Sequence, residues 1–149
     1  MSQDLKLKNY DGLFDLEIDS ATKTFKTVDG METGISVTLF TDARAPGKYV
    51  KDASERRGYV GDIIIKRSLG SLLWTYEQVR LTQEVMNNLR ADLETAFAPM
   101  RNLKQLSNIE IDVTKKSLSS ILIDIKLYFT DNRIERYKTL WSQTKKNGD

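Results

Sequence analysis

The spacing of apolar residues changes period along the chain, and each change marks a different kind of element. Leu13 to Asp19 alternates, with Phe14, Leu16 and Ile18 set against Asp15, Glu17 and Asp19. A period of two predicts a half-buried strand. Ser20-Ala21-Thr22-Lys23 can turn, and Thr24 to Val28 is a plausible partner strand closed by Asp29-Gly30, which together give an N-terminal β-hairpin. From Met31 the spacing lengthens. Met31, Ile35 and Leu39 lie four apart with Phe40 beside them, a short amphipathic helix that fades at Thr41-Asp42. Gly34 weakens that helix by about 1 kcal/mol relative to alanine.

The firmest periodicity follows Thr82, a good N-cap. Val85, Leu89, Leu93 and Phe97 repeat every four residues, and Met86 and Ala96 widen the stripe. This predicts the main helix from about Gln83 to Ala98, where Pro99 stops it or begins a further turn. The stripe itself reads as core. Asn87, Arg90, Asp92 and Glu94 on the other face are solvated or form an interface.

Period two then returns. Ile109, Ile111 and Val113 alternate with Glu110, Asp112 and Thr114, and Lys115-Lys116-Ser117-Leu118 makes a turn. Ile121, Ile123, Ile125 and Leu127 face one way, with Leu122, Asp124, Lys126 and Tyr128 the other, before a second turn at Asp131-Asn132. Residues 133–141 form a third strand. It sets Ile134, Arg136, Lys138 and Leu140 against Glu135, Tyr137, Thr139 and Trp141. Neither face is cleanly apolar, so this is an edge strand, or one paired to another chain, and such an edge is a pairing template unless covered. The expected fold is therefore α+β: an N-terminal hairpin, central helices, and C-terminal antiparallel strands ending in an edge strand at 133–141.

Between the helices lies a stretch that fits neither period. Residues 41–57 are polar, with a turn at Pro46-Gly47, and this long connection is the least structured part of the pattern. Arg56 to Trp74 mixes three glycines, four basic residues and a tryptophan with branched apolar residues, Val60 and Ile63 to Ile65, split around Asp62. Gly58 and Gly61 allow positive φ or close backbone approach. Arg56, Arg57 and Asp62 would make fixed hydrogen bonds, and Tyr59 and Trp74 would anchor the loop with aromatic area. A short helical segment carrying Leu72, Leu73, Trp74 and Tyr76 is expected within Ser68 to Val79.

Composition narrows the chemistry. The 149 residues suggest one domain, large enough for a real core. The 40% apolar and 30% charged fractions are those of a globular chain. A net charge of +2 makes no strong demand for nucleic acid or an anionic membrane, and the mildly basic 101–149 segment is no nucleic-acid footprint. No apolar run approaches the roughly 20 residues of a membrane span. The opening MSQDLKLKNYDG lacks a signal-peptide apolar region, so a cytoplasmic product is expected at synthesis.

Neither cysteine nor histidine occurs. That removes disulfides, thiolate metal sites and every nucleophilic triad built on histidine. Carboxylate pairs remain, with Asp62 and Glu77 or Asp52 and Glu55 as nameable candidates for a glycosidase-like acid and base. Among twenty-one acidic residues some pair is almost inevitable, so catalysis is not the expected function. Gly58-Tyr59-Val60-Gly61 lacks the Lys-Ser/Thr of a phosphate loop. Asp52, Glu55 and Asp62 follow no metal-ligand spacing, and no cofactor is expected.

Leu39-Phe40-Thr41-Asp42, Arg56-Arg57-Gly58-Tyr59-Val60-Gly61-Asp62 and Gly70-Ser71-Leu72-Leu73-Trp74 follow one another in an order and at spacings that resemble the Mu-type phage baseplate protein family. The likeness extends from about Leu13 to Trp141. Two departures stand out: Val60 replaces a second aromatic, and Ala98-Pro99-Met100-Arg101 stands where the wider wedge-protein group has Glu-Pro-Arg. With the glutamate lost, no salt bridge is carried over from the family to that position.

The resemblance implies a non-enzymatic structural component of a contractile phage tail, assembled in the host cytoplasm and carried in the virion. Its place would be with the small baseplate wedge proteins that initiate the sheath. Some relatives have been labelled lysozymes, which leaves a phage-encoded peptidoglycan hydrolase as the alternative. Implied partners are the larger baseplate wedge proteins, the tail sheath protein and the tube or hub proteins, with no nucleic acid and no membrane. Residues 133–149 would be engaged with a partner, the strand joining the first sheath ring through Ile134, Arg136, Tyr137, Leu140 and Trp141. Arg56, Arg57, Gly58, Tyr59, Gly61, Asp62, Gly70, Trp74 and Arg101 would brace the fold or contact the larger wedge protein.

Overall fold

A computed structural model describes residues 3–10, 13–24, 27–29, 31–59, 61–62, 69–104 and 106–143. The expectations placed on Phe25, Lys26, Val60, residues 63–68 and the tail 144–149 lie outside the described residues. The chain forms two compact units, Met1–Val37 and Thr38–Asp149, with the division inside helix α1 (Glu32–Phe40).

In the first unit four short strands pair antiparallel in twos. Strand β1 (Gln3–Leu5) pairs with β4 (Thr27–Asp29), and β2 (Leu7–Tyr10) with β3 (Leu13–Leu16). An N-terminal hairpin is present, built on residues 7–10 and 13–16; toward the expected partner the Asp19 N–H reaches the Thr24 carbonyl at 2.8 Å, while Thr27–Asp29 pairs with β1. Residues 13–16 pair backwards onto 7–10, and the Glu17 N–H extends that pairing to the Lys6 carbonyl at 3.0 Å. The sequence offers a reason: Asp-Gly at positions 11 and 12 is a dipeptide that two-residue hairpins favour, and Leu5 and Leu7 alternate with Lys6 and Lys8. Ile18, taken as a core-facing position, is 58% exposed. The turn after it does form. The Asp19 carboxylate accepts from the Ala21 and Thr22 N–H groups, and Lys23 adopts φ 59°.

The second unit is a helix on a sheet. Helix α2 (Gln83–Arg101) opens on Thr82, whose hydroxyl accepts from the Val85 N–H at 3.2 Å. It runs through Pro99 rather than ending at 98. Proline forfeits one bond to the Thr95 carbonyl, but its fixed φ suits the helix, and a single turn remains to be closed by the Asn102 N–H. Strands β5 (Leu106–Lys115), β6 (Ser120–Phe129) and β7 (Ile134–Ser142) form an antiparallel sheet with β6 in the centre. α2 packs on β5. Leu89, Leu93 and Phe97 are fully buried, as are Ile121, Ile123, Ile125 and Leu127, with Ile109 and Ile111 nearly so. Each such side chain contributes about 1.5–3 kcal/mol by leaving water.

Alternation carries through to β7. Glu135, Tyr137, Thr139 and Trp141 are half-buried, whereas Ile134, Arg136, Lys138 and Leu140 are exposed. Among the described residues no strand pairs with the outer side of β7, as expected of an edge. Two side chains tie this sheet to the segment before α2. The Lys115 ammonium donates to the Leu81 carbonyl at 2.8 Å, and the Gln143 amide donates to the carbonyls of Tyr76 and Val79.

Candidate functional site

Residues 39–42, 56–58 and 70–74, far apart in sequence, meet in one hydrogen-bonded knot within the second unit. Thr41 and Ser71 start it. The Ser71 N–H donates to the Thr41 carbonyl at 2.9 Å and the Ala43 N–H to the Ser71 carbonyl at 3.0 Å, a short parallel bridge. Ser71 is buried, and its hydroxyl donates to the Leu39 carbonyl at 2.6 Å. That carbonyl belongs to the last turn of α1, where helical acceptors lack partners within the helix.

The approach is close enough to require glycine. Gly70 has φ 99°, and a Cβ there would lie 2.2 Å from the Thr41 carbonyl oxygen. No side chain can be added without breaking the bridge.

Trp74 sits on a 3₁₀ turn, Leu73–Tyr76, and its indole N–H donates to the Ala43 carbonyl at 2.9 Å. The Arg57 guanidinium stacks 4.4 Å from the centre of that ring and pairs with Asp42 at 2.7 Å. Arg57 reaches there from a left-handed backbone, φ 51°, followed by Gly58 at φ 118° against the Cβ of Arg44. Arg44 in turn donates to the carbonyls of Arg57 and Ala53.

Arg56 staples the polar loop from inside. Its Nε and Nη2 donate to the carbonyls of Val50 and Lys51, each at 2.8 Å, while its own carbonyl accepts from the Ala45 N–H. The 41–58 connection is thus short of regular elements, with only a 3₁₀ turn at Ala53–Glu55, but densely bonded. Asp62 plays a similar part further on, accepting from the Leu69 N–H at 2.9 Å and so joining residues 62 and 69. Tyr59 differs from the expected anchor. It is 44% exposed, and its ring lies over Gly61, where a Cβ would meet it at 2.3 Å. Arg101 is exposed in the last turn of α2, where its charge favours the carbonyl end of the helix.

A second cluster carries no sequence signal of its own. Asp92, on the face of α2 expected to be solvated or an interface, accepts hydroxyl hydrogens from both Tyr49, at 2.8 Å, and Tyr76. Burial, and then the Asp92 carboxylate, push the Tyr76 phenol well above its ordinary value. Asp92 lies about 60° around the helix from Leu89, at the border of the apolar stripe, which is where a signal could have been sought. The cluster pins the 46–50 loop and the 73–76 turn to α2.

Of the acid and base candidates, Asp52 and Asp62 each spend a carboxylate on hydrogen bonds within the loops. The Asp52 carboxylate accepts from the N–H and hydroxyl of Ser54, which hold its pKa below the ordinary value and suit it to capping a turn rather than to donating a proton. Glu55 and Glu77 border an open basin beside Trp74, and Asp62 is not among its lining residues. Among the described residues no group of three or more acidic side chains is placed to hold a metal ion, and no helix is long and apolar enough to cross a membrane.

The model of a family described as phage protein GP46 matches residues 31–134, which contain the whole knot and reach the first residue of β7. The chain belongs to the phage protein GP46 family. Baseplate protein gp46 of Escherichia phage Mu is 27% identical over 114 residues, covering 75% of this chain and 79% of that protein. No solved structure matches. The matched range contains all three short sequence blocks that bond to one another in the knot.

Proposed function

We propose that this protein is a structural subunit of the baseplate of a contractile phage tail, acting by protein assembly and not by catalysis. The observation that carries the reading is the family match over 31–134, together with the relative in phage Mu that bears the name baseplate protein. The geometry supports it. The arginines, glycines and tryptophan of 56–74 are engaged in bracing a loop, and two of the acidic candidates for a hydrolase are spent on backbone N–H groups, Asp52 on Ser54 and Asp62 on Leu69.

The finer assignment is a wedge subunit that starts the sheath. In it the knot is the rigid body, its exposed Arg57 to Tyr59 apex meets a larger wedge protein, and β7 with the tail after it engages a sheath strand. β-augmentation suits an edge of nine residues in unbroken register. A density map of assembled tails tests the reading. The chain should occupy the baseplate with β7 beside a strand of a neighbour. Its absence from the tail, or lysis of purified peptidoglycan by the isolated protein, would overturn the structural assignment.

A further inference from the structure

The two edges of the C-terminal sheet are not equivalent. The Gln143 N–H donates to the Ser119 carbonyl at 2.8 Å. Bonded pairs alternate in an antiparallel ladder, so the backbone groups of Ile134, Arg136, Lys138, Leu140 and Ser142 point to the open side of β7. By the same logic the Lys116 N–H bond to the Ser120 carbonyl turns Ile109, Ile111 and Val113 outward on β5. There the Val113 N–H is already taken by the Asp112 carboxylate at 3.0 Å, and a register shift between Leu106 and Asn108 breaks the start of the strand. Local capping and bulges are how proteins protect an edge from pairing. β7 keeps an unbroken register from Ile134 to Ser142.

We infer that β7 accepts a strand from a different protein, one presenting acidic residues opposite Arg136 and Lys138 and apolar ones opposite Ile134 and Leu140, and that it rejects a second copy of this chain. The inference rests on the assembly role proposed above and adds the chemistry of the partner. Ile134 and Leu140 are each 60% exposed on the open face and flank the two cations. Asp124 on β6 faces Lys138 in register but spends its carboxylate on Arg136.

Two copies meeting edge to edge about a two-fold axis would pair antiparallel. Centred on Arg136 or on Lys138, such a pair sets that cation against itself. Centred between them, it sets Arg136 against Lys138 twice, although Ile134 then meets Leu140. Like charges directly opposite one another destabilise a sheet. Every register of full overlap therefore sets cation against cation, most strongly at Lys138 because Arg136 is already paired with Asp124, and an acidic foreign strand would turn that repulsion into attraction.

Lys138→Glu makes the middle register self-complementary, with Arg136 opposite Glu on both sides of the axis. In sedimentation equilibrium the unaltered full chain should be monomeric, and Lys138→Glu should self-associate about tenfold or more tightly. Adding Arg136→Glu should return it to monomer. The probe for the foreign strand is a synthetic peptide, Val-Thr-Glu-Thr-Asp-Thr-Val, against a version with lysine at the two acidic positions. The acidic peptide should shift the β7 amide signals and leave Ile109 and Val113 unmoved, with about tenfold preference over the basic one. Dimerisation of the unaltered chain through β7, a monomeric Lys138→Glu, equal binding of the two peptides, or shifts on β5 would overturn the inference. Locating the chain in the tail tests the baseplate role separately, because neither peptide preference nor dimerisation depends on it.

Discussion

The loop knot and the outer strand β7 draw on similar residue types, arginines and aromatics among short polar residues, yet they treat hydrogen bonds in opposite ways. In the knot, Arg44 and Arg56 donate to four loop carbonyls and Arg57 is paired with Asp42 and stacked on Trp74. Its donors are spent inside the chain. On β7 the side chains of one face are half-buried, while a row of backbone groups and two large apolar side chains face outward. Saturated polar networks make rigid bodies. An unpaired row is a template for another strand. On the assembly reading proposed above, the difference gives shape to one region and association to the other.

Substitutions in the two regions should therefore separate stability from assembly. The largest effect on folding is expected from Gly70→Ala, because its Cβ collides with backbone and its φ disfavours any side chain. A loss of about 3 kcal/mol or more should appear in urea unfolding, and a change below about 1 kcal/mol would break the account of the knot. Trp74→Phe keeps a ring beneath Arg57 but strands the Ala43 carbonyl, which should cost about 1–2 kcal/mol by the same assay. Arg57→Ala should cost only about 1 kcal/mol, since its ion pair and its stacking are both partly exposed.

Alkaline pH sharpens the same contrast. The Tyr76 phenol is raised in the folded state above its ordinary value of 10.0 by burial and by Asp92. The unfolded chain releases that proton first. The stabilisation is therefore complete below about pH 10 and falls as pH rises beyond it. Unfolding followed across that range should show a steeper alkaline loss for the unaltered protein than for Tyr76→Phe, and parallel profiles would remove the cluster from the scaffold.

How much of this was readable in the chain differs by region. The stripe from Val85 to Phe97 and the alternation of residues 109–127 announce α2 and the sheet because local period and tertiary packing agree there. The alternation of residues 13–19 predicts a hairpin but not which strand they face, because it suits either neighbour, and the structure pairs 13–16 with 7–10. Loop bonding was legible only as residue types. Arg56 and Gly58 advertised a shaped loop, but nothing local specifies that Gly70 lies against Thr41 or that Asp92 collects two tyrosines. Those contacts depend on how segments meet in three dimensions. Edge character at 133–141 could be read, because a strand with no clean apolar face has only one packed neighbour to satisfy.

The most direct test uses proline on either side of β7. The Lys138 N–H points outward and the Thr139 N–H points into the ladder with β6, so proline at 139 breaks a sheet bond whereas proline at 138 removes only an edge donor. The measurement is the amount of each variant recovered in purified phage baseplates, with the melting midpoint of the isolated protein as reference. Lys138→Pro should fold with a loss of about 1 kcal/mol or less and yet be missing from the baseplate. Recovery of Lys138→Pro at the level of the unaltered chain would contradict the claim that the open side of β7 is the assembling surface.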